Sequence, residues 1–229
     1  EDMAELMNPI GKIRGKFGNV IAYVGANGKN YCKGAEVSRK PAQESQKQQS
    51  VAFGTVVREG RWLRPAIRLG FPGDNGYPKG ANGFSSVNVP GAVTVERINP
   101  DKLIRRRKKA VREFRGVIDY DKLRVAAGAL VTPILTIEVD EENRAVAFEH
   151  QKFPLNTIGR LLDDKIFGVL FYPLNHRCRV VELGVRGETF NVKVNFPEEA
   201  QVAGLVVYVF ATTATGKDAS NSVCLRKPL

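Results

Sequence analysis

The chain has 229 residues, 43% of them hydrophobic, which is enough to bury the core of one large domain or two modest ones and excludes global disorder. Its formal charge of +11 sits almost entirely in one half: residues 1–115 carry 22 Lys/Arg against 10 Asp/Glu, and residues 116–229 carry 13 against 14. Such a field attracts polyanions, an anionic membrane surface or acidic proteins, and the longest uncharged apolar stretch, Val202 to Ala214, falls short of the about 20 residues a transmembrane helix needs.

Residues 8–40 are dense in glycine and lysine. The apolar run Val20 to Val24, the Asn27-Gly28 dipeptide and the basic run Lys29 to Lys33 predict a small basic β-hairpin, because Asn and Gly both accept positive φ. Helix formers after Pro41 predict a helix from about residue 42 toward 64, with Phe53, Val56, Val57, Leu63 and Ile67 on its apolar face. Arg58, Arg61, Arg64 and Arg68 gather on another face, and Pro65 is expected to kink or end the helix, with Ala66 to Leu69 able to form a further turn. The glycine- and proline-rich residues 70–83 read as a long loop. Then comes the basic stretch Arg105-Arg106-Arg107-Lys108-Lys109, continued by Arg112 and Arg115, and the composition changes at Gly116, which marks a module boundary.

Beyond Val117 the pattern has period two. Leu135, Ile137 and Val139 alternate with Thr136 and Glu138, and Phe190, Val192, Val194 and Phe196 alternate with polar residues, as in half-buried strands. Further strands are expected over 122–126, 144–148, 166–172, 177–183, 205–211 and 222–225. About seven or eight short strands without intervening helices predict a β-sandwich.

Few residues are arranged for catalysis. Gly11 to Phe17 resembles a phosphate loop with its glycine spacing one residue short and Phe17 where a hydroxyl is required, so it is read as turns with exposed lysines. Cys32, Cys178 and Cys224 are odd in number and far apart, which excludes a closed disulfide framework, and the sequence has no C-x-x-C spacing for zinc. His150 and His176 are isolated, although His176 and Cys178 would share a face in a strand. Asp140-Glu141-Glu142 and Asp163-Asp164 fall between strands, where acids cap turns. Trp62, Tyr23, Tyr31 and Phe17 lie among basic residues, where stacking on bases and burial in a small N-terminal core are equal alternatives, with the core expected for Trp62.

Three segments together resemble a bacterial family of unknown function: Asn8 to Val20, Pro41-Ala42-Gln43 with Phe53 downstream, and the ending Ala219 to Leu225. The similarity extends to Phe84 to Asn88, Ile118 to Leu123, and Asp164-Lys165 before Phe171-Tyr172-Pro173. The resemblance implies a conserved N-terminal segment joined to a fibronectin-like sandwich and a place in phage-like or mobile-element particles, with no catalytic residues. The stretch Arg105 to Lys109 departs from the family pattern.

The expected fold is mainly β with a helical N-terminal portion: a basic module over 1–115, then an immunoglobulin- or fibronectin-like β-sandwich over 116–229. The expected function is non-catalytic, with the sandwich as an interaction or assembly module for a protein partner or further copies. The alternative is sequence-independent nucleic-acid binding through Arg58, Arg61, Arg64, Arg68 and Arg105 to Lys109. No cofactor, metal or small-molecule substrate is indicated. The N-terminal residues lack a secretory signal pattern, so a cytoplasmic or particle-associated location is expected.

Overall fold

The computed structural model describes residues 4–5, 11–35, 42–73, 76–98, 113–152, 154–197 and 202–228. The protein is mainly β, and among the described residues three α-helices fall within residues 44–88. Two compact units part between Gln43 and Glu44.

The first unit is an antiparallel sheet ordered β1-β4-β3-β2, from Ala4–Glu5 (β1), Gly15–Phe17 (β2), Val20–Val24 (β3) and Asn30–Gly34 (β4). The expected hairpin is its centre, and Gly28 takes φ +78°, which a side chain at that position would resist. Lys29 N donates to Asn27 Oδ1 to close the turn, and Tyr23 and Tyr31 stack across the pair at 5.9 Å. Phe17 is 59% exposed, so it does not enter a small N-terminal core; on this sheet only Ala22 is buried among the described residues.

In the second unit, α1 runs over Glu44–Gly60, α2 over Arg64–Gly70 and α3 over Ala81–Asn88. The single helix expected to run toward 64 is therefore two. Pro65 lies in the first turn of α2, where its missing N–H leaves no bond unmade, so it starts a helix and does not end one. Phe53 is 53% exposed and lies off the apolar face, which Ala52, Val56, Leu63, Ala66 and Ile67 form instead. The expected loop is shorter than 70–83, because residues 81–83 open α3.

Val93–Arg97 (β5) pairs with Phe114–Ile118 (β6), and α1 packs on both. Gly116, expected at a module boundary, lies inside β6, where a Cβ would overlap the Thr55 side chain of α1. Residues 44–98 thus pack with the chain that follows them. Residues 122–126 form no strand: Asn88 bonds both the N–H and the C=O of Arg124, and Ser222 Oγ accepts from Val125 N at 2.9 Å. Side chains satisfy this backbone where a ladder otherwise would.

The remaining strands are Thr136–Asp140 (β7), Ala145–His150 (β8), Lys165–Tyr172 (β9), Arg177–Val185 (β10), Phe190–Asn195 (β11), Val206–Thr212 (β12) and Val223–Arg226 (β13). They form two antiparallel sheets, β10-β9-β12-β13 and β11-β8-β7. Every residue of β12 is buried, and nearly all of β9. Phe167, Val169, Phe171, Val206, Tyr208 and Phe210 join a core with Leu63, Ile67, Phe71 and Phe84 of the helical segment. Ile166, Leu170, Val207 and Val209 join a second core with Val146, Phe148, Val194 and Phe196 of the other sheet. Strands covered on both faces read as continuous apolar runs, which is the pattern these two show.

Candidate polyanion-binding face

The segment from Arg58 to Arg68 crosses from the last turn of α1 into α2. Trp62 N donates to Glu59 O at 3.0 Å as α1 closes, and Ile67 N donates to Leu63 O at 3.0 Å as α2 opens. Leu63 is fully buried between the helices, and this turns its neighbours Arg61, Trp62 and Arg64 toward solvent. Arg58, Arg61, Arg64 and Arg68 are all exposed, with Arg64 and Arg68 four residues apart on α2. Some cations elsewhere in the unit are paired: Lys47 with Glu113, Arg97 with Glu44, Lys122 with Asp119 and Lys165 with Glu182. Among the described residues no carboxylate makes an ion pair with any of the four arginines of this face.

Trp62 is 39% exposed and does not enter a core. Its indole stacks on the His176 imidazole, ring centroids 4.6 Å apart and planes 12° apart. His176 stands in the turn between β9 and β10 at φ +55°, so it does not share a strand face with Cys178 as expected. Beneath lies Glu59, 7% exposed, which accepts a 2.9 Å hydrogen bond from Tyr120 Oη. Burial holds the Glu59 carboxyl above its ordinary range, against the opposing pull of the Tyr120 bond, Arg58 and His176. The Tyr120 phenol is pushed up by its own burial and by Glu59, and its backbone C=O accepts from Tyr208 Oη at 2.8 Å. Glu59 is therefore tied into the core beneath the face, with the Arg58 guanidinium as its charged neighbour.

No protein-family model, curated protein or solved structure matches this chain. The residues themselves must carry the reading. The face unites Arg58, Arg61, Arg64 and Arg68 on one continuous segment, while Arg105 to Lys109 lie outside the described residues. Composition did not reveal the exposed Trp62–His176 stack. Trp62 is out of helical phase with Val56, Leu63 and Ile67, which is the signal that it points away from the core.

Several other titratable groups are held by the fold. His150 is 6% exposed, with both ring nitrogens facing the backbone carbonyls of Ile134 and Arg186. Burial pushes the Cys178 thiol up to about 12, which leaves little thiolate to act as a nucleophile. Asp140 caps its turn by accepting from Asn143, and Asp164 is fully buried with its Oδ2 3.0 Å from Arg186 Nε. No group of three His, Cys, Asp or Glu residues among the described ones is placed to hold a metal ion.

Proposed function

We propose that this protein is a non-catalytic binding protein that holds nucleic acid without sequence preference on its Arg58–Arg68 face. In this reading the sheets β10-β9-β12-β13 and β11-β8-β7 form an immunoglobulin- or fibronectin-like sandwich that serves as the scaffold. The observation that carries it is that Arg58, Arg61, Arg64 and Arg68 are exposed on one short segment beside an exposed aromatic stack and make no ion pair among the described residues. Guanidiniums contact phosphates as charged forks, and an exposed indole offers a base a surface to stack on. Arg105 to Lys109 add to the same field whatever their conformation.

The test is fluorescence anisotropy of a labelled single-stranded oligonucleotide titrated across salt. Each phosphate contact adds about 0.7 to the slope of log K against log salt for single strands. Replacing all four arginines by Gln is expected to flatten the slope by up to about 3. An unchanged slope sinks the assignment of the face.

A second reading makes the sandwich an assembly module in a larger particle, as the resemblance implies. It is supported by β7 and β13, which end their sheets and offer edges that a partner strand could extend. A mass that rises with concentration in the absence of polyanion supports it, and a strict monomer counts against self-assembly.

A further inference from the structure

The sheet of the first unit has two unlike faces. In register, Lys16 pairs with Ile21, Ile21 with Lys33, and Tyr23 with Tyr31. Residues opposite one another in antiparallel strands share a face, as do residues two apart in one strand. Lys16, Ile21, Lys33, Tyr23 and Tyr31 therefore stand on one side of the sheet. Phe17, Val20, Ala22, Val24 and Cys32, none of them charged, stand on the other.

The two tyrosine rings are fixed in position. Their planes are 28° apart, and the phenol oxygen of Tyr31 accepts from Asn27 Nδ2 at 2.7 Å. The edge of the Tyr31 ring lies against Gly25, where a Cβ would come within 2.6 Å of Tyr31 Cε2. Both tyrosines and Lys33 are half-buried, and Lys16 is exposed. Asn30 holds the segment before β2 against β4: Ile13 N donates to its Oδ1 and its Nδ2 donates to Gly11 O. That segment carries Lys12 and Arg14. Residues 11–35 thus hold five cations, Lys12, Arg14, Lys16, Lys29 and Lys33, and no Asp or Glu. Glu5, which pairs with Tyr31 from the edge strand β1, is the one acid among the described residues of this unit.

We propose that this face binds single-stranded nucleic acid, with bases on Tyr23 and Tyr31 and phosphates on Lys16 and Lys33. The rows of lysines and tyrosines are two residues apart along the strands, about 7 Å, so one strand reaches both. An acidic peptide meets the lysines but makes no use of two paired rings, and a duplex keeps the faces of its bases stacked inside. A single strand supplies charge and open base faces together. The proposal rests on the nucleic-acid reading for its class of ligand, but on different residues in the other unit.

The experiment is fluorescence anisotropy of the full chain with a labelled oligothymidylate and with a labelled duplex of the same length, titrated across salt. Lys16→Gln/Lys33→Gln is expected to flatten the single-strand slope of log K against log salt by about 1.4. Lys79→Gln/Lys217→Gln, the same loss of charge at exposed lysines of the second unit, should leave the slope as it is. Tyr23→Leu/Tyr31→Leu should weaken the single strand by about fivefold or more and leave the duplex unchanged. Tyr23→Phe/Tyr31→Phe keeps the rings and should keep the affinity. Should the leucine variant not fold, the lysine pair against its control decides. An unchanged slope in Lys16→Gln/Lys33→Gln overturns the proposal, as does an equal loss in the Lys79→Gln/Lys217→Gln control. So does a folded leucine variant that loses single strand and duplex alike, or oligoglutamate that competes as well as an unlabelled strand of equal charge. The variant with all four arginines replaced is measured alongside. A slope that responds to the lysines and not to the arginines keeps this face and sinks the one at Arg58–Arg68, and the reverse result does the opposite.

Discussion

Among the described residues Glu59 and Asp164 are the buried acids, and no cation neutralises Glu59 through an ion pair there. Its raised carboxyl means that, between the ordinary carboxylate value and its own, the folded protein keeps a proton the unfolded chain has released. Stability therefore falls as pH rises through that window, and the deficit persists above it. Glu59→Gln keeps an oxygen to accept from Tyr120 Oη and cannot ionise. The variant is expected to match the parent at the acid end of the window and to become progressively more stable than it as pH rises. Urea melts of both proteins at intervals between pH 4 and 8 measure this, and a difference that stays flat across the range refutes it. Part of this residue's role was hidden in the sequence. Glu59 reads as one more charge on a solvated helix, and only the break of the helix at Arg61 and the arrival of Tyr120 from 61 residues away put it inside.

At the scale of elements, the strands β7, β8, β9, β10, β11, β12 and β13 were legible because each has an apolar face or an apolar run bounded by turn residues. The basic hairpin was legible for the same reason, with Asn27-Gly28 marking its turn. The segment 122–126 misled because its alternation is that of a buried chain, and nothing local says that Asn88 and Ser222 will serve its backbone. Gly116 stands at a change of composition, which reads as a module boundary, whereas in the structure it is the point where β6 admits α1. Gly116→Ala forces a methyl group into the Thr55 side chain, and overpacking of this kind costs about 1–3 kcal/mol. Thr55→Ala in the same chain removes the hydroxyl and the methyl and should restore part of the loss, because the Thr55 Cβ itself remains close. A double-mutant cycle from denaturant midpoints gives the coupling. Additive losses would show that α1 and β6 do not meet at this point.

At the scale of the second unit, the sheet β10-β9-β12-β13 takes part in both cores. The odd-numbered residues of β9 face the core that contains Phe71 and Phe84, and the even-numbered ones face the core that contains Phe148. Strands were expected over 166–172 and 205–211, but the period-two reading of this half of the chain did not foresee that both are covered on two faces. The source of the cover was hidden too, since the helices lie within residues 44–88, far earlier in the chain. This arrangement makes the helical segment and the strands a single cooperative structure, where a boundary at Gly116 would let them unfold apart. Phe84→Ala and Phe148→Ala each remove a ring that is almost wholly inaccessible, and such truncations cost about 3–5 kcal/mol. Trp62, the single tryptophan, reports on the helical segment by its fluorescence, and the amides of β8 report on the far sheet by hydrogen exchange. Either substitution is expected to shift both reports to lower urea by the same amount, because the sheet between them cannot keep one core packed while the other opens. A Phe84→Ala protein in which the fluorescence transition moves and the β8 amides keep their full protection would separate the helices from the strands and restore the boundary near residue 116.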